Sequence, residues 1–217
     1  MDDLDFKADP IDGYKINLRS AVRLLWSAQG DWADAWLMFQ SAIRRAFTQA
    51  WLEGAKAYGI SEDELTAEER ARLETEIAHE TSYIGKFIDA IEAGSKANGG
   101  KLTPLLQRTE LWVKGYNRIV QLAKAYGARD QKQTWVVGPT EQSCSDCQNY
   151  KNRVYRASVW RRWEALPRSW SLSCHGINCL CELIPTDKKV TPGHPPRPSG
   201  LRGKECECGE VCGCQPS

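Results

Sequence analysis

The sequence predicts a mainly α protein, in which a long helical hairpin or bundle precedes a small α+β module and a flexible tail. Apolar residues recur every three or four positions through the first 130 residues, which is the helical period. All nine cysteines lie at or after position 144. We therefore expect a helical domain over 1–132, a cysteine-rich module over 133–185 and a tail over 186–217 rich in proline, glycine and cysteine.

The first two predicted helices account for residues 15–29 and for the segment from Asp31 to about Gly59. The second carries one apolar stripe along its length, which includes Phe39, Ile43 and Phe47. A stripe of this length exceeds what a thin hairpin can bury. We therefore expect this surface to pack on further copies of the chain or on a larger partner.

Two further helices are predicted before residue 130. Thr66 and Glu69 have the spacing of a capping box, and the apolar pattern continues as one helix to Ile91. Thr103 is the expected cap of the last helix, with Pro104 at its first position, and this helix should close near Gly127.

Charge and hydropathy exclude several protein classes. The chain has 29 basic and 28 acidic residues, so no global field favours nucleic acid or anionic membranes. The acidic N-terminus lacks the pattern of a secretion signal, and no stretch approaches the roughly 18 apolar residues of a membrane span. We expect a cytoplasmic protein with mostly reduced cysteines, which favours metal binding over disulfides.

The cysteine spacing between 144 and 181 indicates a metal-binding knuckle. Cys144 and Cys147 form a C-x-x-C pair, and Cys174, Cys179 and Cys181 follow in a second cluster. Zinc takes four such ligands in structural sites. The preferred set is Cys144, Cys147, Cys179 and Cys181, with Cys174 or His175 as a substitute. Four protein ligands would close the Zn²⁺ ion to substrate, so its role should be structural; disulfide pairing or simple burial of small apolar thiols are the alternatives.

A second cysteine cluster lies in the predicted tail, at Cys206, Cys208, Cys212 and Cys214. It could bind another metal ion, or it could be a flexible, thiol-rich end that forms adventitious complexes.

Between the two halves of the predicted zinc site lies a segment, 150–170, in which basic and aromatic residues alternate. Its candidate phosphate contacts are Arg153, Arg156, Arg161 and Arg162. Basic residues interleaved with aromatic ones suit a nucleic-acid surface that binds phosphates and stacks on bases. The alternative is that Trp160 and Trp163 pack on the knuckle while the arginines stay solvated.

The sequence does not predict an enzyme. It contains no glycine-rich phosphate loop, no G-x-S-x-G elbow and no H-E-x-x-H. Cys174 and His175 are adjacent, and neighbours in sequence rarely have the geometry of a nucleophile and its base.

Several short motifs together carry a family resemblance. They are Ala50-Trp51-Leu52-Glu53-Gly54-Ala55, Trp135, Cys144-x-x-Cys147, Ser158-x-Trp160 and Cys179-x-Cys181. In this combination the chain resembles the minor head, or head morphogenesis, proteins of tailed bacteriophages related to the Mu F-like family. It departs from them at Cys174-His175, where many members carry His-Pro before the C-x-C, which leaves the third ligand open.

The resemblance implies a low-copy component of the virion head that is made in the host cytoplasm and associates with the portal vertex. Its implied partners are portal and capsid proteins, with non-specific DNA contact as an option. The competing hypothesis is a zinc-containing nucleic-acid-binding protein that uses residues 150–170.

Overall fold

A computed structural model of the protein describes residues 9–140, 143–176 and 178–201. The chain divides into two compact units, 1–131 and 132–217, which we call the helical unit and the cysteine module. The helical unit consists of helices, and the cysteine module combines short helices with a three-stranded sheet. The predicted mainly α class is thereby confirmed. Within the described ranges, no helix has both the length and the apolar character needed to cross a membrane.

The first two helices are α1, Pro10–Trp26, and α2, Trp32–Lys56. Helix α1 begins five residues before the predicted start, because Asp9 accepts the N–H of Ile11 and Pro10 suits the first turn. Helix α2 begins where predicted, at a capping box between Asp31 and Asp34.

The predicted third helix is wrong as a single element, since the structure has α3, Ala67–Thr81, and α4, Ile84–Ala93. The Thr81 hydroxyl donates to the carbonyl of Ala78 and the Ser82 hydroxyl donates to that of His79. Thr75 and Thr109 make the same kind of bond within unbroken helices, so these bonds accompany the break and do not by themselves cause it. The capping box of Thr66 and Glu69 is present as predicted.

Helix α5, Leu102–Gly127, closes the helical unit. The predicted cap at Thr103 is wrong: Lys101 is the N-cap, without a side-chain hydrogen bond, and Pro104 lies in the first turn. The first turn tolerates proline because its N–H groups have no helical acceptor.

Helix α2 is the centre of the helical unit and contacts α1, α3, α4 and α5. Its stripe residues Phe39, Ile43, Phe47 and Trp51 are fully buried. Gly54 lets α5 approach closely, since a Cβ there would lie 2.4 Å from the carbonyl oxygen of Val120. From Phe39 to Trp51 the unit therefore buries the stripe itself, whereas Trp32 at its start is 41% exposed. Packing of this surface on further copies or on a partner stays a prediction.

The core of the helical unit also contains a buried ion-pair network. Arg118 on α5 contacts the carboxylates of Glu76 and Glu80 on α3, and Arg72 also pairs with Glu76, at 2.7 Å. Arg118, Glu76 and Glu80 are each at most 6% exposed. Charges at this depth are retained only when each has partners.

The sheet of the cysteine module has the order β2-β1-β3, with both pairs antiparallel. Its strands are β1, Lys132–Val136, β2, Val154–Arg156, and β3, Glu182–Pro185. Two short helices, α6, Ser145–Tyr150, and α7, Ala157–Arg162, lie between the strands.

Four aromatic residues form the core of the module. Trp135 lies 4.8 Å from Tyr150 and 5.6 Å from Trp160 between ring centroids, and Tyr155 packs edge-on against Trp160. All four side chains are at most 1% exposed. Burial of Trp160 in the module agrees with the packing alternative for the 150–170 segment.

Residues 186–201 differ from the predicted flexible tail, because they lie against the module. The N–H of Thr191 donates to the carbonyl of Val154, the Tyr150 hydroxyl donates to the carbonyl of Pro196, and His194 stacks on Trp163. Prolines at buried positions and backbone hydrogen bonds hold this segment where composition predicted disorder. The remainder of the predicted tail, 202–217, lies outside the described residues.

Candidate metal centre

The first half of the centre is built at the start of α6. Cys144 is the N-cap of this helix, and its sulfur accepts the N–H of Cys147 at 3.4 Å. One helical turn therefore brings the two C-x-x-C sulfurs to the same side of the chain, as the spacing predicts.

The second half is a tight loop before β3. His175, Gly176 and Asn178 all have positive φ, at 48°, 73° and 54°. A Cβ on Gly176 would lie 2.1 Å from the carbonyl oxygen of Arg168, so glycine is required there. The Cys174 and Cys179 sulfurs, on either side of this loop, each lie within 4.8 Å of the Cys147 sulfur, in separate groups.

The structure brings five cysteines together as two groups of mutually close sulfurs. Cys144, Cys147 and Cys174 form one group, and Cys147, Cys179 and Cys181 form the other, with all sulfurs of a group within 4.8 Å. The sulfurs of Cys147 and Cys179 are 3.9 Å apart. Tetrahedral zinc with bonds of about 2.3 Å places its sulfurs about 3.8 Å apart, so this separation suits a shared ion. The cluster can therefore bind a metal ion.

Burial and electrostatics explain why a cation belongs in this cluster. Cys147, Cys179 and Cys181 are buried, and Cys144 and Cys174 are half-buried; all five are free thiols. Hydrogen bonds from Cys147, Cys174 and Cys181 hold the pKa of the Cys179 thiol below its ordinary value. The hydrogen bonds of Cys147 to Cys174, Cys179 and Cys181 raise the pKa of Cys147. Burial opposes ionisation of Cys147, Cys174 and Cys181, unless a cation neutralises the added charge.

His175, the proposed substitute ligand, does not join either group. It is exposed, and its Nδ1 lies 3.2 Å from the carbonyl oxygen of Trp170. Within the described ranges, both groups consist of cysteines only, so Cys174 is the better candidate at this position. The second predicted cluster, Cys206 to Cys214, lies outside the described residues.

Asp146, inside the C-x-x-C pair, is a buried residue that the sequence analysis did not identify as part of the site. It is 1% exposed, and its carboxylate accepts the N–H of Ser173 at 2.7 Å, the N–H of Ser199 at 3.1 Å and the Ser199 hydroxyl at 2.8 Å. One side chain thus fastens α6 to the second half of the site and to the 186–201 segment.

Replacement of Asp146 by alanine is expected to destabilise the module by about 2–4 kcal/mol, because buried donors lose a charged acceptor. Hydrogen exchange of the β1 amides, followed by mass spectrometry, measures this change. Ser145→Ala is the matched control, since Ser145 is exposed and contacts only the Ser173 hydroxyl, at 3.3 Å, among the hydrogen bonds described for it. Equal protection in Asp146→Ala and in the control would contradict the anchoring role.

The four arginines that were predicted to contact nucleic acid differ in their exposure. Arg156 and Arg162 are exposed, whereas Arg153 and Arg161 are half-buried, and Arg153 donates to the carbonyl of Asn149 at 2.6 Å. The aromatic residues Tyr150, Tyr155 and Trp160 are in the module core and cannot stack on bases. Phosphate contact by the arginines stays a prediction.

Comparison of the chain with protein-family models, with curated proteins and with solved structures finds no match.

Proposed function

We propose that the five-cysteine cluster is a structural zinc site that holds the cysteine module together. The observation that carries this proposal is the convergence of five free thiols, three of them buried, around the shared residue Cys147. Reduced, clustered thiolates favour zinc over harder cations such as Mg²⁺ or Ca²⁺. Four thiolates would leave no open coordination position, so the ion would stabilise the fold rather than react with a substrate.

We infer further that the protein is a structural or assembly component of a tailed-phage head, near the portal vertex, and acts through protein contacts without catalysis. The resemblance of its motifs supports this, together with the order of a helical unit followed by a cysteine module. In the structure, the motif residues Trp51 and Gly54 lie at the packing surface of α2, and Trp135 and Trp160 form the module core. These motif positions therefore contribute to the packing of the two units.

Exposed apolar residues provide a surface for such contacts. Trp32 and Trp36 stack at 5.0 Å between ring centroids, and Trp32 is 41% exposed. Exposed tryptophans are frequent anchors of protein interfaces. Portal and capsid proteins are the proposed partners, in the virion head and earlier in the host cytoplasm.

Quantitative mass spectrometry of purified phage particles tests the virion role. We expect this chain at a few to a few dozen copies per particle when its peptides are scaled to the major capsid protein. Heads purified before DNA packaging serve as the second sample, because an assembly factor can leave during maturation. Absence from both samples would contradict the proposal.

The alternative function, a zinc-containing nucleic-acid-binding protein, is favoured by one observation, the exposure of Arg156 and Arg162. DNA affinity that falls steeply with salt, and that Arg161→Glu with Arg162→Glu abolishes, would support it.

A further inference from the structure

The cluster contains one sulfur more than a tetrahedral ion can bind. Cys147, Cys179 and Cys181 are buried and mutually close, which supplies three corners. Both Cys144 and Cys174 are half-buried and lie within 4.8 Å of Cys147 and of each other. Neither belongs to the group of Cys179 and Cys181, so an ion would have to draw one of these two sulfurs, each already close to Cys147, into the fourth corner of the site.

We propose that Cys144 and Cys174 are an oxidisable pair that shares the fourth corner, so that a disulfide between them opens the metal site. This inference rests on the proposed zinc site, and it adds a redox response to the structural role. Either thiolate alone can complete the tetrahedron, whereas the disulfide removes both at once.

The backbone already holds the two cysteines side by side. The N–H of Ser173, the residue before Cys174, donates to the carboxylate of Asp146, two residues after Cys144, at 2.7 Å. The hydroxyls of Ser145 and Ser173 are 3.3 Å apart. Side-chain rotation rather than a large backbone movement would then bring the two sulfurs into bonding distance.

Their greater exposure makes Cys144 and Cys174 the pair that is oxidised first. The Cys147 and Cys179 sulfurs are closer together, at 3.9 Å, but both residues are buried, at 2% and 6% exposure. A dissolved oxidant reaches a half-buried thiol sooner than a buried one that is bound to the ion.

Hydrogen peroxide is a sufficient oxidant for this step. One thiolate attacks a peroxide oxygen, the O–O bond breaks, and a sulfenic acid and hydroxide result. The second thiol attacks the sulfenic sulfur, an S–S bond forms, and water leaves after protonation of the departing hydroxyl. In total, two thiols lose two electrons and two protons, and peroxide becomes two water molecules. The zinc ion keeps its oxidation state and retains three thiolates.

Zinc release from the full chain tests the proposal. Cys206, Cys208, Cys212 and Cys214 are replaced by serine in every arm, so that tail thiols neither bind zinc nor consume peroxide. A chromophoric chelator then reports zinc release during peroxide addition, and peptide mapping identifies the disulfide. We expect Cys144–Cys174 to be the first disulfide to form and zinc release to follow it, with reversal by dithiothreitol and added zinc.

Serine variants test whether Cys144 and Cys174 can replace each other as the fourth zinc ligand or whether one of them is required. Cys144→Ser and Cys174→Ser should each bind one zinc ion with an affinity within about tenfold of the parent protein. The double variant should bind zinc at least about 100-fold more weakly, because an ion with three thiolates lacks its fourth ligand. Each single variant should also release zinc under peroxide at least about tenfold more slowly, because the pair is broken. Cys181→Ser, which removes a buried ligand, should lose zinc binding by itself.

Three outcomes would overturn the inference. They are loss of zinc from either single variant, release from both single variants at the parent rate, and a different first disulfide. A zinc-free parent protein would overturn the zinc site as well, which separates failure of the proposed function from failure of this inference.

Discussion

Removal of the metal ion is expected to unfold the cysteine module and to leave the helical unit folded. The three strands of the module contain five, three and four residues, too few to hold a fold by themselves. Structural zinc contributes about 10–16 kcal/mol of apparent binding free energy in small zinc domains, which exceeds the stability of most domains. The helical unit has its own core around α2 and includes no cysteine.

Hydrogen exchange with mass spectrometry separates the two responses. After chelation, peptides that cover β1, β2 and β3 should lose protection, whereas peptides of α2 and α5 should keep it. Near-UV dichroism should fall as Trp135 and Trp160 lose their fixed packing, with recovery when zinc is added back. Unchanged protection of β1 in a protein shown to be metal-free would contradict a structural role for the ion.

The second large effect is expected at Arg118, whose replacement by methionine should destabilise the helical unit by about 3–5 kcal/mol at pH 7. Methionine keeps much of the side-chain volume but leaves Glu76 and Glu80 buried without their shared cation. Urea unfolding followed by far-UV dichroism measures the change, because most helical residues belong to this unit.

Two further variants isolate the buried charge as the cause. Arg44→Met removes an exposed bidentate pair with Glu74, and its cost should stay within about 1 kcal/mol. Adding Glu76→Gln and Glu80→Gln to Arg118→Met should restore part of the stability that the helical unit loses. If Arg44→Met and Arg118→Met lowered the free energy of unfolding equally, burial of the ion-pair network would not explain the Arg118→Met effect.

The pH dependence of the Arg118→Met effect has a defined sign. Burial raises the pKa of Glu80, and Arg118 opposes this shift, so loss of Arg118 should raise the pKa further. A carboxyl with a raised pKa binds its proton more tightly in the folded state, and stability then falls as pH rises from the unfolded to the folded pKa. The variant should therefore lose most stability at neutral pH and least in acid.

The sequence predicted helix ends well where a capping residue marks them and poorly where the apolar period continues across a break. Asp31 has an unopposed capping position, and α2 begins beside it. The apolar period continues across the break between α3 and α4, at Ser82 and Tyr83. The hydroxyl bonds there also occur within unbroken helices, at Thr75 and Thr109, so no local pattern marks the break.

For the candidate site as well, features set by neighbouring residues could be predicted and contacts between residues far apart in sequence could not. The C-x-x-C spacing is a property of one helical turn, so it could be predicted. The bonds from Asp146 to Ser173 and Ser199 join residues 27 and 53 positions apart, and no local pattern indicates them. Composition likewise predicted disorder for 186–201, where the hydrogen-bond partners of the segment lie elsewhere in the module.

The central position of β1 has a consequence for synthesis of the protein. It is the first strand to leave the ribosome, yet its partner β3 begins only at Glu182, nearly 50 residues after Val136. At about 5–20 residues per second, β1 waits roughly 2–10 s with an unpaired edge. Cys179 and Cys181 emerge just before β3, so the last metal ligands and the last strand arrive together. The nascent chain can thus close its sheet and its metal site in one step, which ends the interval when an open edge could pair with another chain.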